Sequence, residues 1–399
     1  MEKNAAGRHF KLYPTVHARQ TRAPCLYPAK NLYKRPKPFH LSFNSPRLHS
    51  SPVTHPRETK MAQNDHPQWP DHLPWNVNLF LSALSFSFDV TRRSNGTVNR
   101  FLMNFFDLRT SPSKKPINGV KTTDITIDKA RNLWFRLYTP TTTTDDGAGT
   151  GLPVIFFFHG GGFAFMAPSS KPFDELCYGL ARELSAIIIS VNYRLAPEHR
   201  WPSEYEDGFD TLKFIDTTNI EGFSVKANLK QCFIAGDSAG GNVVHHVALK
   251  ASEHEFSNLK LIGNISIQPF FGGEERTESE LRLTRAPFVT MERADWMWKA
   301  FLPQGSNRDH PAANVFGPNS VDILGVNFPA TIIFVGGFDP LQDWQKRYYE
   351  GLKKYGKEAY LVEFPNAPHS FYAFPELPEF FLFIKETKDF MQKQLSSNI

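Results

Sequence analysis

Gly236-Asp237-Ser238-Ala239-Gly240 constrains this chain more than any other segment. An apolar, strand-like run, Cys232-Phe233-Ile234-Ala235, leads into it, and a helix-like run from Asn242 to Ala251 leads out. A serine between two glycines at a strand-to-helix junction can sit on a turn so sharp that its hydroxyl points out of the sheet edge. Side chains at positions 236 and 240 would clash there, because the backbone bends in a way that glycine tolerates best. This is the pattern of a nucleophile elbow. The competing reading is a glycine-rich turn in which Ser238 caps the next helix. The strand before and the helix after favour the catalytic reading.

The rest of the chain supplies a matching scaffold. Strands are expected at Val154–Phe158, Ala186–Asn192, Gln231–Ala235, Ile262–Gln268, Thr331–Val335 and Ala359–Phe364. Helix-like segments fall between them, near 173–184, 205–215, 241–252, 341–355 and 378–395. Continuous apolar strands separated by helices indicate a mostly parallel sheet covered on both faces. Ahead of them, Ile125–Ile127 and Leu133–Tyr138 read as antiparallel strands, and Ser94-Asn95-Gly96-Thr97 as a hairpin turn between short strands. Residues 141–152 read as a loop. Val77, Phe80, Leu81, Leu84 and Phe88 recur at helical spacing, so the 75–90 segment is a helix with one apolar face. That helix and the Trp- and Met-rich stretch Arg293–Phe301 are lid candidates, with ordinary core packing as the competing reading for each aromatic.

A second motif, His159-Gly160-Gly161-Gly162-Phe163, directly follows the strand Val154–Phe158. Consecutive glycines let backbone N–H groups approach an anion. Together with the N–H of Ala239, they can stabilise the oxyanion of a tetrahedral intermediate. A phosphate cradle is excluded, since neither phosphate-loop spacing follows. A serine nucleophile needs a base, and the base needs an orienting carboxylate, in the chain order Ser, Asp/Glu, His. Of His254, His310 and His369, only His369 follows the last strand. Asp339 ends the preceding strand and is the carboxylate of choice, with Asp343 as runner-up. Asp339 before Pro340 also reads as a helix N-cap. His245 and His246 lie on the helix after the elbow and read as packing or surface residues.

These motifs resemble a known family. His159-Gly160-Gly161-Gly162, Tyr193-Arg194-Leu195-Ala196-Pro197-Glu198 and Gly236-Asp237-Ser238-Ala239-Gly240-Gly241 are similar to the hormone-sensitive-lipase branch of the α/β-hydrolase fold. Leu73-Pro74-Trp75, Asn95-Gly96-Thr97 and Asp339-Pro340-Leu341 resemble plant carboxylesterases and their gibberellin-receptor relatives. The likeness runs from about residue 70 to 395. It implies a mostly parallel sheet covered by helices, with an N-terminal helical lid. It also implies Ser238 as nucleophile, Asp339 as orienter and His369 as base, with Gly161, Gly162 and Ala239 as the oxyanion hole. The expected activity is hydrolysis of small apolar carboxylic esters, without cofactor or metal. Gibberellin receptors of this family lose the catalytic histidine, which this chain keeps as His369. A dehydratase branch uses the same site and can carry a hydroxyl side chain beside the oxyanion hole, where Gly162 has none. A small-molecule receptor and a flavonoid-type dehydratase therefore stand as alternatives.

Charge and composition bound the remainder. The chain has 45 Lys/Arg and 40 Asp/Glu; 12 and 2 of these fall in residues 1–60, leaving 33 basic and 38 acidic residues after them. The mildly acidic part 61–399, read as the α/β-hydrolase domain, carries no nucleic-acid footprint. Residues 1–60 also hold 8 prolines without apolar periodicity and read as a disordered basic extension. A transit peptide, a basic interaction tail and translated upstream sequence with Met61 as the true start compete for that segment. Modest serine content and the lack of an amphipathic helix favour the last. Three unpaired-looking cysteines, Cys25, Cys177 and Cys232, suit a reducing compartment. No apolar run approaches the roughly 18 residues of a membrane span. The expected location is cytoplasmic or nuclear, or plastid if residues 1–60 are a transit peptide.

Overall fold

The structure, a computed structural model, describes residues 73–141, 151–221, 223, 226–286 and 288–398. The expected extension at residues 1–60, its boundary at 61 and most of the 141–152 loop lie outside the described residues.

Apolar strands dictate the centre. The chain runs α1 (Trp75–Thr91), α2 (Arg100–Phe106), β1 (Val120–Asp128), β2 (Leu133–Pro140), β3 (Leu152–Phe158), α3 (Lys171–Glu183), β4 (Ile187–Asn192) and α4 (Ser203–Thr217). It continues through β5 (Ala227–Asp237), α5 (Ala239–Ala251), β6 (Leu261–Ile267), α6 (Glu278–Arg282) and α7 (Met291–Phe301). It ends with β7 (Ala330–Phe338), α8 (Gln342–Lys354), β8 (Ala359–Pro368) and α9 (Pro378–Ser397). Eight strands pair in the order β1-β2-β4-β3-β5-β6-β7-β8. The β1–β2 and β2–β4 pairs are antiparallel, and all later pairs are parallel. Alternate residues of one strand feed opposite faces. Val154, Phe156 and Phe158 join one core with α4, α5 and α8, while Ile155 and Phe157 join the other with α3, α9 and α1. Burial on both faces is why a central strand such as Val154–Phe158 reads as an unbroken apolar run.

Two local expectations are corrected. The Ser94–Thr97 segment does turn, with Arg93 N–H donating to Thr97 O at 2.9 Å, but a single bridge between Arg92 and Val98 closes it, not a pair of strands. Helix α1 runs up to Thr91 and α2 begins at Arg100, and the short stretch 92–99 between them holds the turn and no strand. Helix α2 itself was not expected. Its seven residues, Arg100–Phe106, are too few to display a period, and its start is fixed by the Asn99 side chain accepting the Leu102 N–H. Also, α8 begins at Gln342 and not at Pro340, so Asp339 is not its N-cap.

Parallel pairing fixes which loops meet. Phe158 pairs with Gly236, so the glycine loop after β3 and the elbow after β5 leave the sheet side by side. The loops after β7 and β8 leave from the same carboxyl edge, where open α/β sheets form their crevices. No helix among the described residues is long and apolar enough to cross a membrane.

The antiparallel end is tied to the helical layer by one buried cation. Arg136 of β2 is only 1% exposed. It donates to the Asp124 carboxylate at 2.6 and 2.8 Å, to Asp174 of α3 at 3.1 Å and to Thr110 Oγ1 at 2.8 Å. Tyr138 OH donates to the same Asp174 oxygen at 2.7 Å. Removing the guanidinium strands a buried carboxylate, so Arg136→Leu is expected to cost about 3–5 kcal/mol of folding stability. Urea unfolding checks this. A loss below about 1 kcal/mol would contradict the role given to Arg136.

Candidate active site

Ser238 occupies the expected elbow. Its φ is +50° and its ψ −116°, a conformation that a non-glycine residue adopts only under constraint. The constraint is close packing. A Cβ on Gly240 would overlap the carbonyl oxygen of Phe158, and one on Gly236 would overlap that of Gly240. The elbow is pinned from both sides: Ser238 N–H donates to Ile267 O at 2.9 Å, and Ser238 O accepts from Phe270 N–H at 2.8 Å.

Asp339 and His369 meet in a buried hydrogen bond, Nδ1 to Oδ2, at 2.7 Å, with side-chain exposures of 0% and 3%. Asp339 is itself held by Gln345 Nε2 at 2.8 Å, Gln268 Nε2 at 3.2 Å and the Leu341 N–H at 2.9 Å. Asp343 is used elsewhere, accepting the Ser279 N–H at 2.8 Å. His254 stacks edge-on against Phe256 and His310 against Trp201, away from this cluster. With Asp339 on Nδ1, the buried Nε2 of His369 makes no hydrogen bond to the described protein. An imidazole so oriented can take a proton on Nε2. Among the described residues no hydrogen bond joins Ser238 Oγ to that nitrogen; contacts of this kind commonly close only around a bound substrate. Ser238 does line one cavity with Ser370, the residue after His369.

The glycine loop approaches as its sequence requires. Gly161 (φ +104°), Gly162 (φ +59°) and Phe163 (φ +62°) are all left-handed, and Gly161 and Gly162 share a cavity wall with Ser238. Among the described residues their N–H groups donate to no protein acceptor. Ala239 opens α5, so its N–H is a first-turn donor without a helical partner. Three donors are thus available to an anion next to Ser238. A side chain at Gly162 would overlap the Met297 thioether of α7. His159 is structural: burial takes its imidazole down to about 3, its Nδ1 bonds Gly160 O at 2.8 Å, and its ring stacks on Tyr193 at 4.4 Å. His245 packs against Phe271, Phe328 and Tyr348, as expected of a core residue.

The lid candidates close over the site together. Arg293 of α7 donates to Asp89 of α1 at 2.9 Å and to Phe288 O at 2.8 Å, and Trp296 Nε1 donates to Arg93 O at 2.8 Å. Of the expected apolar face of α1, Val77, Leu81 and Phe88 are buried, Leu84 is partly buried, and Phe80 is 37% exposed. Phe88 reaches the cavity beside Ser238.

Three functional side chains escaped sequence reasoning. Gln268 bridges the two late loops, donating to Asp339 and to Pro368 O at 3.1 Å and accepting the Ser370 N–H at 2.8 Å. A polar residue directly after a strand was its only signal. Asp237 accepts the Gly160 N–H at 2.9 Å and Tyr372 OH at 2.6 Å, so one carboxyl joins elbow, glycine loop and histidine loop. Met297 is the third. Among the described residues no group of three His, Cys, Asp or Glu could hold a metal.

Burial is the main influence on Asp237, pushing its carboxyl up from 3.8 to about 7 against the Tyr372 hydrogen bond, the His369 charge and the Gly160 N–H. Above its ordinary value the unfolded chain ionises this group while the folded chain retains the proton. Native stability therefore falls as pH rises from about 4 to about 7. Asp237→Asn keeps both hydrogen bonds, with the Tyr372 hydroxyl turned to accept. Its thermal midpoint is expected to gain on wild type across that window and to lose the advantage below it. A pH-independent difference would contradict the burial argument.

Comparison with known proteins places the fold and the family. The alpha/beta hydrolase fold family matches residues 155–373. The gibberellin receptor GID1C of Arabidopsis thaliana is 40% identical over 331 residues, covering 81% of this chain and 95% of the receptor. Carboxylesterase 20 of Arabidopsis thaliana is 35% identical over 278 residues, covering 68% of this chain and 85% of that protein. Among solved structures, an esterase of Pyrobaculum calidifontis shares the fold with a TM-score of 0.60 at 24% identity, covering 82% of this chain and 94% of that one. This chain belongs to the alpha/beta hydrolase fold family, on the hormone-sensitive-lipase-like branch that holds plant carboxylesterases and gibberellin receptors.

Proposed function

We propose that this protein is a carboxylesterase that hydrolyses small apolar carboxylic esters through an acyl-enzyme. The observation that carries the reading is the buried 2.7 Å hydrogen bond between His369 and Asp339, together with a serine on a strained elbow that shares a cavity with Ser370, the residue after His369. Ser238 Oγ attacks the ester carbonyl carbon while His369 Nε2 takes its proton. The oxyanion is held by the N–H groups of Gly161, Gly162 and Ala239, which stabilise it more than the ground-state carbonyl. His369 then gives the proton to the departing alkoxide. In the second half it activates water, which releases the acid and restores Ser238. Asp339 fixes the tautomer and supports the imidazolium.

A second reading has one specific observation behind it. The gibberellin receptor cited above is similar to this chain over nearly its whole length. Under that reading the same cavity would retain a small molecule without turning it over. The presence of His369 favours the esterase. Loss of water from a product, in place of its gain, would mark a dehydratase.

Kinetics with p-nitrophenyl acetate separate these readings. Ser238→Ala is expected to lower kcat on the order of 10⁴-fold or more, with His369→Ala nearly as damaging. Asp339→Asn is expected to cost less than either, and Asp343→Asn little. Wild-type turnover no higher than that of Ser238→Ala, together with saturable binding of a gibberellin, would favour the receptor. A larger loss in Asp343→Asn than in Asp339→Asn would overturn the choice of carboxylate.

A further inference from the structure

The space around Ser238 is unequal on its two sides. On one side lies a cavity of about 20 Å³, walled by Gly161, Gly162, Phe270, Leu341 and Met297. Met297 lines it and packs directly on Gly162, where its thioether occupies the place a side chain would take. A void of that size admits roughly one water-sized group, such as a methyl. On the other side lies a neck of about 40 Å³, reached by Leu84, Asp237, Ser370 and Ala373. The neck does not end there. It shares Phe80, Leu84, Met166, Pro172 and Ala373 with a groove of about 370 Å³ that runs between α1, α3 and the loop after β8.

The chemistry assigns the two sides. The base that deprotonates the serine must return that proton to the leaving oxygen, so the leaving alcohol departs beside the histidine. Ser370, Tyr372 and Ala373, which follow His369 in its loop, line the neck, and none of them lines the small cavity. The alcohol therefore belongs in the neck and groove. The acyl group belongs in the cavity lined by Met297, next to the glycine loop.

Building on the esterase reading above, we propose that the substrates are short-acyl esters, acetates foremost, of long or bulky apolar alcohols. The acyl carbon–oxygen bond breaks, water supplies the hydroxyl of the released acid, and the alcohol leaves with the proton from His369. Selection against long acyl chains comes from Met297. Acceptance of long alcohols comes from the passage beneath Leu84 and Phe80.

Four esters test this on the full-length wild-type protein. With the alcohol fixed, kcat/KM is expected to fall by about 100-fold or more from p-nitrophenyl acetate to p-nitrophenyl octanoate, as for a pocket that excludes added methylenes. With the acyl group fixed, octyl acetate is expected to be used at least as well as ethyl acetate. Met297→Ala is expected to raise the octanoate-to-acetate ratio by about 10-fold, and Leu84→Trp to lower the octyl-to-ethyl ratio by a similar factor. Octanoate used within about 3-fold of acetate by wild type would overturn the acyl assignment while leaving the esterase reading intact. So would a preference for ethyl over octyl acetate, for the alcohol side. Turnover of none of the four would overturn the esterase reading and this inference with it. The wild-type comparison decides the matter even if a variant fails to fold.

Discussion

Everything at the carboxyl edge of this sheet depends on how closely the start of α5 presses against the end of β3. Gly240 lies so near the Phe158 carbonyl that no side chain fits between them. That approach holds Ser238 at a φ of +50° and brings the His159–Gly162 loop alongside it. A strained φ of this kind costs on the order of 1–3 kcal/mol and persists only where surrounding packing over-determines it. Here two flanking backbone hydrogen bonds, Ser238 to Ile267 and Phe270 to Ser238, supply part of that surplus. On the esterase reading the strain serves the function, since a relaxed turn would leave the hydroxyl lying along the sheet edge.

Side-chain hydrogen bonds then lock the loops to one another. Asp237 links the glycine loop to Tyr372, and Gln268 links the Asp339 loop to the His369 loop. Local turns shape each loop but do not set its position relative to the others. Buried hydrogen bonds between loops do so because leaving any one of these groups unpaired is costly. Helices α1 and α7 form the roof, clasped by Arg293. Met297 and Phe88 project from it to shape the space above Ser238. On the esterase reading, catalysis and selectivity are carried by different layers, one on the sheet edge and one on the lid.

The parallel sheet was legible because strands buried on both faces lose the polar alternation that would hide them. Val154–Phe158 and Ile187–Val191 announce themselves as apolar runs. The elbow and the glycine loop were legible because close backbone approach leaves glycine few substitutes. Asp339 and His369 were legible from chain order and position after a strand. The supporting shell was not. Asp237 meets Tyr372 across 135 positions, and Gln268 meets Ser370 across 102, so no local spacing encodes either. Helix α2 is too short to show a period, and the turn at Asn95-Gly96 is real while the strands expected to flank it are not. The unequal cavities also escaped the sequence, because Met297 acts on Gly162 only through the packing of α7.

The central claim is that Ser238 is a nucleophile activated by His369. Its most direct test is covalent capture. The purified protein would be exposed to an alkyl fluorophosphonate and examined by intact mass and peptide mapping. The account predicts a single adduct per chain, on the peptide that carries Ser238, formed in wild type and suppressed in His369→Ala. An unlabelled wild-type protein that is otherwise folded, or an adduct on another serine, would contradict it.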